Sequence, residues 1–194
     1  MIFRTIRLIF TLSLVFNMHS QSKLPYAEIP NSPNNYSAAN VAARMIDGLG
    51  FRYYWATEGL RSKDLSYQPN HTARSTSETL DHILGLSIVI LNSVTHVNND
   101  PNTTKQLDSF LEKREITLKN FAKASAILKN STDLSSFSMV FKKSETTKVF
   151  PFWNVINGPI ADALWHVGQV VSFRRTSGNP FPKGVHVLTG KVKQ

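Results

Sequence analysis

The residues best suited to chemistry in this chain are an aspartate and a histidine spaced four residues apart, Asp162 and His166. In a helix these two positions share one face and lie about 6 Å apart along the axis, so both side chains can point at one centre. Their neighbours are largely apolar, and we expect this face to look inward or into a cleft. A carboxylate in such surroundings needs a partner. A divalent metal ion is one candidate, but a structural hydrogen bond to the histidine, a buried arginine or ordered water would serve equally.

A second histidine, His82, lies in another strongly apolar segment. If the two segments are neighbours, His82, Asp162 and His166 form a set of two histidines and one carboxylate, the ligand count of a metal site with open positions. Glu78, four residues before His82, could add a carboxylate or orient the imidazole. Gln169, three residues after His166, is a candidate for contacting substrate or water at the metal. The chain lacks the paired Glu-x-x-His motifs of a di-iron bundle.

Two amphipathic segments are predicted to be the first helices that position these residues. The first covers about residues 37–60, with Ser37 as its N-cap. The second begins at the capping box formed by Ser75 and Glu78, and it ends near residue 97, before an Asn-Asn-Asp-Pro breaker. His82 falls in this second helix.

Two further helices complete the predicted set. The third spans about residues 104–129, and the fourth spans about 157–177 and ends at a Gly-Asn-Pro sequence. Between them, alternation over residues 137–141 predicts a short hairpin or an irregular crossover. Four helices of about 20 residues without strong strands between them predict an all-α fold, specifically a four-helix bundle.

The first twenty residues have the pattern of an export signal. Arg4 and Arg7 precede an apolar run over residues 8–16, which is too short to cross a bilayer, and polar residues follow. We therefore predict a signal peptide over 1–20, an extended leader over 21–36, the bundle over 37–180 and a C-terminal tail over 181–194. A buried N-terminal helix and a retained membrane anchor are the alternatives. The mature protein is predicted to be periplasmic or secreted, without a stable membrane span.

Composition excludes several classes of protein. The 194 residues include no cysteine, so disulfides, thiolate metal sites and thiol nucleophiles are ruled out, and any metal must be held by histidine, carboxylates and water. The formal net charge is +9, but the basic residues are scattered, and no nucleic-acid-binding motif is present. We expect a small-molecule partner and no nucleic acid, and the sequence leaves a homodimer open.

Residues 153–169 and 174–180 resemble the last helix of DinB-like (YfiT-type) four-helix proteins, and residues 80–83 resemble the second helix of that family. The family usually binds a metal through one histidine on helix two and a His-x-x-x-His pair on helix four. By position these ligands fall on His82, Asp162 and His166, with aspartate replacing the first histidine of the pair. This resemblance implies one divalent ion, and the ligand types are compatible with zinc, nickel, manganese or iron.

The resemblance also implies a class of activity. DinB-like proteins include thiol-dependent transferases and hydrolase-like enzymes, so we expect an exported metal-dependent hydrolase or transferase acting on a small molecule. The alternative is a non-catalytic cell-envelope bundle in which Asp162 and His166 form a structural pair without metal.

Overall fold

A computed structural model of the protein describes residues 23–100 and 107–193. The predicted signal peptide over 1–20 lies outside the described residues. The chain is mostly helical, with two small sheets of two strands each in the described part. The elements follow in the order α1 (Ala38–Thr57), α2 (Ser62–Leu65), α3 (Thr76–Thr95), α4 (Phe110–Lys129), β1 (Ser138–Lys143), β2 (Thr146–Pro151), α5 (Phe152–Val155), a π-helical turn (Ile156–Ile160), α6 (Ala161–Thr176), β3 (Val185–His186) and β4 (Lys191–Val192).

The predicted helix starts at Ser37 and Ser75 are confirmed. The Ser37 side chain accepts a hydrogen bond from the Asn40 backbone N–H at the start of α1. At the start of α3, Ser75 and Glu78 form the reciprocal capping box, with each side chain accepting from the other residue's backbone N–H. These caps are local interactions, since each joins residues three positions apart, so the sequence pattern alone identifies them.

The predicted start of the third long helix is wrong. Residues 104–106 lie outside the described part, and residues 107–109 are not helical. The helix begins at Phe110, because the Ser109 side chain accepts from the Glu112 backbone N–H and caps it there. A Ser-x-x-Glu pattern was present at this position in the sequence and was a better start signal than the apolar periodicity.

The connection before the last long helix is a β-hairpin followed by an interrupted helix. β1 and β2 pair antiparallel from Ser138 opposite Pro151 to Lys143 opposite Thr146, so the hairpin alternative of the prediction is confirmed. The predicted single helix over 157–177 instead consists of α5, the π-helical turn and α6. Pro159, which has no N–H to donate, and the non-helical backbone at Gly158 explain the interruption.

The four long helices pack so that each contacts two others. Helix α1 lies against α4 and α6, and α3 also lies against α4 and α6. Between α1 and α4, the rings of Tyr53 and Phe121 meet edge to face with centroids 6.1 Å apart. Large side chains that are fully buried in this core include Ile46, Leu49, Ile83, Ile90, Leu118, Leu128 and Val170.

Tyr26, which belongs to the predicted leader, packs into the core. The Tyr26 ring fills the space over Gly50, where an added Cβ would come within 2.4 Å of a ring carbon. Its hydroxyl donates to the buried carboxylate of Asp47, which also pairs with Lys129. The described part of the leader has no helix or strand. Gly50 thus has a packing role, although in the sequence it only weakens the predicted helix.

Two tryptophans flank the start of α6 at the surface. Trp153 and Trp165 are 74% and 73% exposed. Among the described residues, no helix is both long enough and apolar enough to cross a membrane.

Candidate metal centre

The contact between α3 and α6 brings the three predicted ligands together. His82 lies in the second turn of α3, and Asp162 and His166 lie one turn apart at the start of α6. Because these helices pack side by side, the condition on which the predicted ligand set depends is met. One candidate ligand atom from each of the three residues can be chosen so that all three lie within 4.8 Å of one another.

The carboxylate of Asp162 lies between the two imidazoles. His82 Nε2 is 3.1 Å from Asp162 Oδ2, and His166 Nε2 is 3.3 Å from Asp162 Oδ1. The two rings approach edge to face, with centroids 4.7 Å apart. Ligands bound about 2.0 Å from a tetrahedral ion lie about 3.3 Å from one another. Each of the two measured separations has about this length, and they involve different oxygens of Asp162.

The π-helical turn sets the position of Asp162. Gly158 and Pro159 interrupt the regular helix, and α6 restarts at Ala161, so Asp162 is in the first turn of α6. A negative charge near a helix N-terminus is favoured by the helix dipole. The turn therefore fixes where the Asp162–His166 face begins and which way it points.

Gln169 orients His166. His166 Nδ1 lies 2.7 Å from Gln169 Oε1. With the amide oxygen as acceptor, Nδ1 carries the proton, and the neutral ring then presents the lone pair of Nε2 toward Asp162. A lone pair facing a carboxylate oxygen is favourable only with a cation between them, either a proton or a metal ion. Fixing one imidazole nitrogen by hydrogen bonding, so that the other is free to coordinate, is usual for metal-binding histidines.

Glu78 is not brought to this group. Its side chain is exposed, and its Oε2 accepts from the backbone N–H and the hydroxyl of Ser75 at the N-cap of α3. Glu78 therefore does not orient the His82 imidazole, as the spacing had suggested. A Ser-x-x-Glu pattern already accounts for this glutamate, and that local role outweighs its i,i+4 spacing to His82.

The centre is open to solvent on one side. The exposed fractions of the His82, Asp162 and His166 side chains are 32%, 39% and 15%, so the face is half-buried. Among the described residues, no lysine or arginine forms an ion pair with Asp162. The carboxylate is thus held only by groups that can themselves bind a proton or a metal.

A cleft of about 790 Å³ adjoins His82. Its walls come from α3, α4, β1 and the loop residues Asn99, Asp100 and Leu107. They are largely apolar, with lysines from the hairpin, and include Leu86, Val89, Ile116, Phe141, Lys142 and Lys143. No pattern in the sequence indicates this cleft, because its walls come from segments that are far apart in the chain. Its size lies in the range of small-molecule sites.

Comparisons of the chain with protein-family models, with curated proteins and with solved structures give no match. The candidate site is therefore defined by its own geometry: two imidazoles and one carboxylate, contributed by two adjacent helices, that could together hold a metal ion.

Proposed function

We propose that the protein is an exported, DinB-like four-helix bundle that holds one divalent metal ion with His82, Asp162 and His166, and that it catalyses hydrolysis or group transfer on a small molecule. The observation that carries the proposal is the close approach of these three ligand atoms from two different helices. His82 and Asp162 are 80 positions apart, so only tertiary packing brings them together. Their approach is therefore evidence independent of the i,i+4 spacing of Asp162 and His166.

The donor set fits such an ion. Two imidazole nitrogens and one carboxylate oxygen suit zinc, nickel, manganese or iron, and three protein ligands leave positions for water and substrate. A divalent ion bound there supplies Lewis-acid chemistry toward water, a hydroxyl or a thiol. The partial exposure of Asp162 and His82 leaves that side accessible.

The chain's own residues supply position and selectivity. Gln169 fixes the His166 ring, and the Asp162 carboxylate lies between the two imidazoles. The apolar cleft beside His82 supports a substrate with an apolar body. Water is partly excluded from such walls, which strengthens electrostatic interactions at the metal.

The helix arrangement supports the bundle and the family resemblance. The four long helices each contact two others. The β1–β2 hairpin lies between the third and fourth of these helices, at the crossover position. The proposal of export depends on the pattern of residues 1–20, and it is tested by finding the mature N-terminus near residue 21 in protein recovered from the periplasm or medium.

The decisive experiment is metal analysis of the protein purified without a histidine tag. We expect one equivalent of metal, and added zinc should stabilise the metal-free protein by about 3 kcal/mol at a free-ion concentration near a hundred times Kd. His82→Ala and His166→Ala should abolish this stabilisation, because each removes one of three ligands. His71→Ala is the matched control, since His71 is an exposed histidine in a loop, and it should leave the zinc effect unchanged.

The structural alternative predicts a different result. Asp162 already hydrogen-bonds His82 at 3.1 Å, and no buried side-chain polar atom of the described residues lacks a partner, so the group is also consistent with a metal-free contact between α3 and α6. In that case added zinc, nickel or manganese leaves the melting temperature unchanged, and Asp162→Ala lowers the melting temperature of the metal-free protein. Metal-dependent, chelator-sensitive turnover of aryl esters that is lost in His166→Ala would exclude this alternative.

A further inference from the structure

α6 has a second face that does not carry the metal ligands. Positions 162 and 164 are about 200° apart around a helix, so the residues of this second face point away from Asp162 and His166. They recur at steps of four, three and four residues and form one stripe, consisting of Leu164, Gly168, Val171 and Arg175.

A pocket of about 440 Å³ lies over this stripe. α1 contributes Arg52 to its wall, and the segment after α6 contributes Phe181 and Val187. Three separate parts of the chain thus enclose a space whose walls are apolar except for two guanidinium groups and one serine hydroxyl. The floor is open at Gly168, where an added Cβ would meet no heavy atom within 4 Å.

The two arginines of this pocket differ from other arginines of the described residues in their ion pairing. In the part of the chain that the structure describes, neither Arg52 nor Arg175 forms an ion pair, whereas Arg61 and Arg114 each pair with a carboxylate. Arg52 Nη1 donates to the backbone oxygen of Gly48 at 3.1 Å, which leaves its other N–H groups available. Two cations that line one apolar pocket repel each other, and an anion between them relieves that repulsion.

We propose that this pocket binds a small amphipathic carboxylate, with the carboxylate held by Arg52 and Arg175 and an apolar chain lying against Leu164, Val171 and Phe181. The planar guanidinium group matches a carboxylate in shape and can bind it through two parallel hydrogen bonds. The apolar walls stabilise the remainder of the ligand by removing its surface from water. The site is independent of the proposed metal centre, because it uses the other face of α6.

Decanoate is the probe, measured by isothermal titration calorimetry on the full mature chain in the presence of a chelator. We expect saturable binding of one decanoate per chain. Decanol, which has the same chain length and no charge, should bind at least tenfold more weakly, because it leaves both guanidinium groups without a partner. Because the chelator removes metal from the protein, binding of the decanoate carboxylate to a metal ion cannot contribute to the signal.

Three variants locate the binding. Arg52→Gln and Arg175→Gln should each weaken decanoate binding by about tenfold to a hundredfold, the usual effect of losing a charge-assisted hydrogen bond. Arg74→Gln removes an exposed arginine outside the pocket and should have no effect. Gly168→Leu should abolish binding by filling the floor, while the melting temperature stays the same or rises, because leucine favours a helix more than glycine does.

Four outcomes would overturn the proposal. They are the absence of saturable decanoate binding, equal binding of decanol, unchanged binding in both arginine variants, and loss of binding in His82→Ala. The last would place the carboxylate at the metal centre, and retention of binding in His82→Ala is the result we expect. A protein that fails to bind metal but still binds decanoate leaves this inference intact.

Discussion

Two aspartates lie near opposite ends of α6, and their surroundings differ in kind. Asp64 of α2 lies beside the C-terminal end and is fully buried. Its carboxylate accepts hydrogen bonds from the Arg61 guanidinium and backbone N–H, the Ser177 hydroxyl and the Asn179 amide, which all have fixed protons. Asp162 lies at the N-terminal end, is 39% exposed, and faces two imidazoles. Imidazole nitrogens can exchange a proton for a metal ion, whereas the partners of Asp64 cannot.

The difference separates a structural carboxylate from a ligand carboxylate. Hydrogen bonds from Arg61, followed by those from Ser177 and Asn179, hold the pKa of the Asp64 carboxyl far below its usual range. The same cluster includes Arg174, whose guanidinium is buried and donates to the backbone oxygens of Trp55 and Ala56 at the end of α1. The buried, fully hydrogen-bonded network around Asp64 joins helices to one another, whereas the partly exposed group around Asp162 can bind a ligand.

The largest expected effect is on the closed network. Asp64→Ala should lower the free energy of unfolding by about 3 kcal/mol or more, because it removes the buried acceptor shared by the Arg61 guanidinium, the Ser177 hydroxyl and the Asn179 amide. Asp162→Ala in metal-free protein should change it much less. Urea denaturation of the metal-free variants measures both values.

Glu28→Gln is the control for that comparison, since the Glu28–Lys191 pair is exposed on both sides and its loss should have no measurable effect. Equal destabilisation by the Asp64 and Asp162 variants would mean that Asp162 is also structural. The contrast between the two ends of α6 would then be lost.

A smaller effect is expected on zinc affinity when the side-chain amide of Gln169 is replaced. Gln169→Leu should weaken zinc binding by about tenfold to a hundredfold, because His166 loses the acceptor that fixes its ring. Gln169→Glu keeps an acceptor at this position and should restore most of the affinity. Competition with a chelating dye measures these constants.

Asn179→Ala provides the opposite pattern. It removes donors from Asp64 and from the backbone oxygen of Gly59, so it should lower stability and leave zinc affinity unchanged. A drop in zinc affinity in this variant, or none in Gln169→Leu, would contradict the separation of the two regions.

The smallest effect is a dependence on pH. Because the pKa of Asp64 is lowered on folding, its contribution to stability is present above the unfolded pKa of about 4 and is lost as the pH falls below it toward the folded pKa. The stability difference between the wild type and Asp64→Asn should therefore shrink by about 1.4 kcal/mol per pH unit below about pH 4. Denaturation curves of both proteins between pH 6 and about pH 2.5 test this, and a constant difference would contradict it.

Sequence patterns predicted best the features that depend on neighbouring residues. The caps at Ser37 and Ser75 were predicted correctly, because capping needs only residues within one turn. The start of α4 was predicted six residues too early, because apolar periodicity was followed and the Ser109 cap was not. The interruption before α6 was missed although Gly158 and Pro159 are adjacent in the sequence.

Charged residues were harder to predict because their partners are distant. Arg174 is buried and joins α6 to α1, where its guanidinium donates to the backbone oxygens of Trp55 and Ala56, more than a hundred residues away. No sequence pattern indicated the structural role of Asp64, since its partners Ser177 and Asn179 lie more than a hundred residues away. At the candidate site, Gln169 is close enough in sequence to His166 to be singled out, whereas the walls of the neighbouring cleft are not.

The sequence by itself determined that Asp162, His166 and Gln169 occupy one helical face, because the α-helical period fixes which residues are neighbours along a helix. Only the tertiary structure decided that His82 completes this face, that the group is half-open, and that Asp64 is sealed among donors. Those outcomes depend on which helices lie side by side, and that order results from packing the apolar surfaces of the whole chain.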